Sequence, residues 1–358
     1  MIRFLAKYRH FFTVIIVIGL IAGFVYLALK TKDLKTGTYD NKTYSGIAFG
    51  TAIKKTIFMD NIDKCDEIDR SIDKILKNVD DELSYRNEAS EIAVFNGSYA
   101  AGGSYSLSPD IMLYLKKELE VYGETDGAFS PCILPLSKLW GIEDGRTEIP
   151  KDSDIKEVLK HIDGDNMAVT DEGLTLNDGE MSIDFGAVGK GIAADEVLTG
   201  LSKTDVSGAV ISVGGTIATY GTKGADSMWH IGIQDPRAAN GEVLGVLDVT
   251  GGKVISTSGD YEKFFEVDGK RYHHIFDPKT GYPVDNGLIS VTIATGSGFM
   301  SDAMSTACFV MGLEDGMRYA ESKGVDAIFV TSDKKVYLSN GLNKRFNIRN
   351  DEYEITKR

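Results

Sequence analysis

Cysteine is scarce in this chain, and what there is suits no cross-link. Cys65, Cys132 and Cys308 are the three among 358 residues, far apart and in no metal-ligand spacing. An odd, sparse count excludes a disulfide framework, so all three read as small buried hydrophobes. Positive charge is also in deficit: 39 Lys and Arg face 53 Asp and Glu, a formal net charge of −14. Such a surface repels a phosphate backbone and excludes nucleic acid as a partner. It repels an anionic nucleotide too, so any phosphate site here needs a local cation or converging backbone N–H groups. Proline is rare, and tandem repeats and low-complexity tracts are absent. The remaining composition, 42% hydrophobic and 26% charged, is that of a globular protein able to bury a core.

One long apolar run is present. Phe11 to Leu29 is uncharged and rich in Ile, Val, Leu and Phe. On a helix it would rise about 28 Å, close to the hydrocarbon thickness of a bilayer. No small-x-small cleavage site follows and no nearby cysteine could carry a lipid. The run is therefore expected to be an uncleaved anchor rather than a removed signal. Lysines and arginines are nearly balanced across it. The short residue 1–10 tail is the easier part to retain in the cytoplasm, which places the large domain outside.

Beyond a polar, Lys-rich stretch at 30–43, Tyr44 to Phe58 is strand-like. Cys65, Ile68, Ile72, Ile75, Leu76, Val79 and Leu83 then recur at helical steps as one apolar stripe. A second helix is expected from Ser108, an N-cap candidate before Pro109, through Tyr122. Ala209–Val213, Trp229–Gln234, Val254–Thr257 and Ile289–Ala294 read as strands. Gly191–Leu201 and Asp302–Met311 read as helices. The alternation fits a mixed α/β or α+β fold.

Three segments can carry chemistry. Ile183 to Gly191 runs from a strand through glycines into a helix, with Lys190 in the turn. It lacks the Walker spacing and does not spell G-x-G-x-x-G. Backbone N–H groups opening a helix suit an anion, although many glycine turns merely reverse the chain. His273 and His274 precede the turn Asp277-Pro-Lys-Thr-Gly-Tyr-Pro283. Either histidine fits a proton acceptor or a structural residue, and Asp277 and Thr280 fit backbone partners. Asp302 and Thr306 lie four residues apart on one helix face, where a carboxylate and a hydroxyl suit a hard cation that keeps phosphate oxygens as ligands. Ser301 or Asp302 serving as an ordinary helix cap is the competing reading.

The order and spelling of these segments together resemble the FAD:protein FMN transferase family, the ApbE-like proteins. The match runs from about Ala48 to Leu342. It includes Phe49-Gly50-Thr51, Ser90-Glu91-Ile92, Thr125-Asp126-Gly127-Ala128-Phe129-Ser130-Pro131, and Leu139-Trp140-Gly141. It continues through the Asp184–Gly191 loop, Val213-Gly214-Gly215, Thr257 to Tyr261, the His273–Pro283 turn and Asp302-x-x-x-Thr306. The resemblance implies a two-lobed mixed α/β domain with FAD, the substrate, in the inter-lobe cleft. FAD contacts would fall on Phe49, Tyr85, Ala128, Phe129, Ser130, Asp184, Lys190 and Ile275. Mg²⁺ would be held by the Ala187 carbonyl and the side chains of Asp302 and Thr306, with His274 as base. Phe49 stands where many members have Met, and Ser130 where many have Asp. Tyr85 and Arg86 compete for one alignment position.

The chain then divides into a cytoplasmic tail at 1–10, a membrane span at 11–29, a linker at 30–43, the transferase domain at 44–350 and a C-terminal tail at 351–358. The implied reaction moves FMN from FAD to a Ser or Thr hydroxyl of an acceptor flavoprotein, an extracytoplasmic redox subunit, and releases AMP. Two alternatives use the same residues differently. Water as nucleophile would make an FAD pyrophosphatase yielding FMN and AMP. A tethered flavin-binding protein without turnover would not need the Asp302–Thr306 pair.

Overall fold

A computed structural model describes residues 39–225, 227–239 and 241–357. The expected tail and membrane span lie outside the described residues, as does most of the linker. Among the described residues, no helix is long and apolar enough to cross a membrane.

The frame is one nine-stranded sheet. Its spatial order is Asn41–Ala48, Thr51–Phe58, Gly208–Val213, Thr216–Gly221, Val254–Gly259, Leu288–Thr295, Asp326–Thr331, Lys335–Leu338 and Glu354–Ile355. Neighbours run antiparallel except the last pair, which is parallel. Alternation sorts the side chains of the inner strands. Ala327 and Phe329 face the helix Gly298–Ser322, while Ile328 and Val330 face a small sheet of Met228–Gln234, Val243–Thr250 and Phe346–Ile348. With both faces covered, Leu288–Thr295 is buried along its whole length.

The helix stripe read from sequence forms Cys65–Leu83, with Ile68, Ile72, Leu76, Val79 and Leu83 buried. It packs beside the helix Gly189–Leu201. Ser108 precedes the helix Pro109–Glu124 as expected, and all three cysteines are buried. A smaller apolar cluster of Leu136, Trp140, Ile155, Ile162, Phe265 and Phe276 sits apart from the main core.

Some boundaries differ from the sequence reading. The Tyr44–Phe58 stretch is two strands, and the first begins at Asn41, inside the expected linker. Its turn is Phe49–Gly50, with φ of 52° and 64°, the type I′ geometry that favours Asn-Gly. A phenylalanine there is poor turn chemistry, which hid the break. The residues expected as a C-terminal tail include buried Tyr353, whose hydroxyl donates to Asp235, and the paired strand Glu354–Ile355.

Candidate functional site

Two glycines decide where the site forms. The helices Gly189–Leu201 and Gly298–Ser322 cross at Gly191 and Gly298. A Cβ on Gly191 would lie 2.1 Å from the Gly298 carbonyl oxygen, and one on Gly298 would lie 2.1 Å from the Gly191 oxygen. Only the absence of both side chains permits this approach. It brings Asp302 against the start of the other helix, where the Gly191 N–H donates to Asp302 Oδ2 at 2.6 Å. Gly191 is the third residue of its helix, so its N–H has no acceptor within the helix and Asp302 supplies one; the first helical bond runs from the Ile192 N–H to the Val188 carbonyl. The Ala187 carbonyl, one residue before the N-cap, has no donor among the described residues.

Asp302 does not cap its own helix. The C-terminal helix starts a turn earlier, with Ser297 as N-cap. Asp195 accepts from the N–H groups of Gly298 at 2.5 Å and Phe299 at 3.1 Å. Asp302 Oδ1 accepts instead from the Thr216 hydroxyl at 2.7 Å. Thr306, one turn on, lies 3.3 Å from the Ser258 hydroxyl. A carboxylate fixed by two donors, a hydroxyl and an orphaned carbonyl thus border one space. All three are hard oxygen donors, and with a single carboxylate they fit Mg²⁺ that keeps water or phosphate ligands.

The cavity they border lies where the main core meets the smaller cluster. It is lined by Tyr85, Ala128, Phe129, Ser130, Asp184, Ala187, Lys190, His274, Ile275, Asp302 and Thr306. Phe49 lies instead in a broader adjoining groove, whose wall shares Lys190 and His274. Its N–H donates to Asp80 Oδ2 at 2.9 Å, fixing the strained turn. Tyr85, not Arg86, faces the cavity. Arg86 reaches Asp144 at 2.6 Å and holds its guanidinium 4.9 Å from the Tyr85 ring centroid. The Ser130 hydroxyl is spent on local structure, donating to the Ile162 carbonyl and accepting from the Cys132 N–H.

The two histidines separate cleanly. His273 is buried, with Nε2 donating to the Val284 carbonyl at 2.9 Å and Nδ1 accepting from the Ile275 N–H. Both ring nitrogens are used, so it is structural. His274 lines the cavity, and its Nδ1–H donates to the Lys263 carbonyl at 3.3 Å, which leaves Nε2 as an acceptor. Desolvation pushes its pKa down to about 4, against the opposing pull of Glu143, so the imidazole is neutral at physiological pH. Burial pushes the Asp184 carboxyl up to about 6, opposed by the Gly186 N–H that donates to it at 2.8 Å. In the following turn Asp277 and Thr280 bond the backbone and each other, as the plainer reading expects.

Sequence reasoning missed Glu143, Thr216 and Glu262 on the cavity wall. Glu143 accepts from Lys263 at 2.7 Å and holds charge beside His274. Each is a lone polar residue with no local motif. Only the Val213-Gly214-Gly215 turn, which ends just before Thr216, offered a signal.

Comparison with known proteins gives one answer. A Klebsiella pneumoniae protein named FAD:protein FMN transferase is 31% identical over 323 residues, spanning 88% of this chain and 98% of its own length. A Treponema pallidum protein of the same name is 33% identical over 293 residues, 77% of this chain and 80% of that one. Among solved structures, the ApbE protein of Thermotoga maritima superposes with a TM-score of 0.77 at 28% identity, over 87% of this chain and all of its own. The apo form of Pseudomonas stutzeri flavinyl transferase ApbE gives 0.75 at 25% identity, over 88% of this chain and 99% of that one. The ApbE family pattern matches residues 49–329, and the chain belongs to the ApbE family.

Proposed function

We propose that this chain is an Mg²⁺-dependent FAD:protein FMN transferase that esterifies a Ser or Thr hydroxyl of an acceptor protein and releases AMP. As a member of its family the chain is an enzyme, and its relatives carry the transferase name. The observation that carries the reading is the oxygen set of Asp302, Thr306 and the unbonded Ala187 carbonyl facing one cavity with His274. Magnesium held there would neutralise charge building on the diphosphate during phosphoryl transfer.

The chain's own residues supply the rest. Lys190, beside the start of its helix, offsets the repulsion that a protein of net charge −14 exerts on a dinucleotide. His274 Nε2 takes the proton of the acceptor hydroxyl as its oxygen bonds to the FMN-side phosphorus. The bond to the bridging oxygen breaks, and AMP leaves with that oxygen. Because His274 is already neutral, it needs no deprotonation before acting. Tyr85, Phe129 and Ile275 give the apolar walls against which flat rings can lie.

The run at 11–29 would tether the domain outside the membrane, near an extracytoplasmic redox subunit; protease accessibility of the domain in intact cells tests the orientation. The function is tested by incubating the protein with FAD, Mg²⁺ and a flavin-free acceptor, then measuring intact mass. An FMN ester on acceptor Ser or Thr is expected. Free FMN formed at equal rates with and without acceptor would instead mark a pyrophosphatase.

A further inference from the structure

We propose that the groove beside the reaction cavity docks the acceptor polypeptide as an extended, acidic segment laid along the strand edge Gly232–Gln234. The proposal rests on the transferase reading above and names how the partner is held.

Continuity is the first ground. Lys190 and His274 line both the groove and the cavity, so an occupant of the groove reaches the proton acceptor without leaving it. Size is the second: the groove holds about 1020 Å³ against about 160 Å³ in the cavity, room for a chain segment at Gly232–Gln234 beside a dinucleotide that reaches Phe49.

The wall itself is the third ground. Among the described residues Met228–Gln234 is an outer strand of its three-stranded sheet, with Val243–Thr250 as its strand neighbour. Its Gly232–Gln234 part faces the groove, and among the described residues nothing pairs with its other side. Unpaired backbone along a groove is what an added strand recognises. The neighbouring walls include Gly46, Gly214 and Gly215, which leave room for main chain to approach.

Charge selects the occupant. On a protein of net charge −14, Lys54, Lys190, Arg237, Lys263 and Arg271 line the groove against Glu143 and Glu262. Lys54 is exposed there with no acidic partner among the described residues. Arg271 also lines the groove, with its guanidinium bonded to Glu266 at 3.2 Å and Nη1 lying 3.5 Å from Asp260. An acidic side chain on the docked segment would pair with Lys54, within the field of the Arg271 charge.

The test compares wild type, Lys54→Glu and Arg271→Gln in steady-state transfer to a flavin-free acceptor protein, with FAD and acceptor varied separately. Each variant should raise the acceptor KM about three- to tenfold and leave the FAD KM unchanged. Added salt should weaken acceptor binding more in wild type than in Lys54→Glu. Amide hydrogen exchange should slow in Gly232–Gln234 when acceptor is added. Lys54 is exposed, so its variant keeps the test intact should Arg271→Gln lower stability. An unchanged acceptor KM in Lys54→Glu, or an FAD KM rising in step, would overturn the proposal. A wild type that makes only free FMN would overturn the transferase reading itself.

Discussion

Replacing Gly191 by alanine should dismantle the site from a distance of one helix crossing. The added Cβ would stand 2.1 Å from the Gly298 carbonyl oxygen, where ordinary contact begins near 3.4 Å, so the helices must part by more than about 1 Å. Overpacking of this kind costs about 1–3 kcal/mol. The N–H bond to Asp302, 2.6 Å long, cannot survive that separation, and a bond to a charged group contributes about 1.5–3 kcal/mol. The variant should therefore lose about 2.5–6 kcal/mol of stability. Urea denaturation followed by fluorescence of the buried Trp140 and Trp229 measures it. Transfer activity should fall about 10²-fold in whatever remains folded, because Asp302 loses its orientation. A Gly191→Ala protein within about 0.5 kcal/mol of wild type and fully active would refute the crossing as the organiser of the site.

Other expectations follow from the same geometry. Glu118 is fully buried with neither carboxyl oxygen bonded, and desolvation raises its pKa well above the ordinary value. Burial makes the folded state hold this proton to higher pH than the unfolded chain does, so stability falls as pH rises above the unfolded pKa. Glu118→Leu should therefore stabilise the protein by about 1–3 kcal/mol at pH 8 and by less at pH 4, read from paired urea titrations. Thr216→Val removes the donor to Asp302 Oδ1 and should raise the Mg²⁺ concentration needed for half-maximal transfer about tenfold, with FAD affinity unchanged. His274→Ala should lower transfer by about 10²–10⁴ while FAD binding, followed by flavin fluorescence, stays the same. Because the His274 pKa lies at about 4, protonation of this group should not reduce transfer between pH 6 and 8.

What the sequence made legible was whatever repeats locally. The Cys65–Leu83 helix carries its core on one stripe, and the long inner strands carry theirs by alternation or as continuous apolar runs. Residues in recognisable spellings, such as Asp302 with Thr306, could be placed on one face before any fold was known. Contacts made across the chain were not legible. Thr216 meets Asp302 across 86 positions, and Asp195 closes the N-terminus of a helix 102 or more residues away. Nothing near Asp195 marks it as the acceptor for a distant helix start. The Phe49–Gly50 turn was hidden for a different reason. Tertiary contacts hold a phenylalanine in a backbone region that its own propensity avoids.

Calorimetric titration of Mg²⁺ into the FAD-loaded protein, repeated with Asp302→Asn and Thr306→Val, examines the metal pair most directly. One site per chain should appear in wild type, at least tenfold weaker in each variant, with the FAD affinity of the metal-free proteins alike. Equal Mg²⁺ affinity in all three proteins would contradict the assignment of these two side chains.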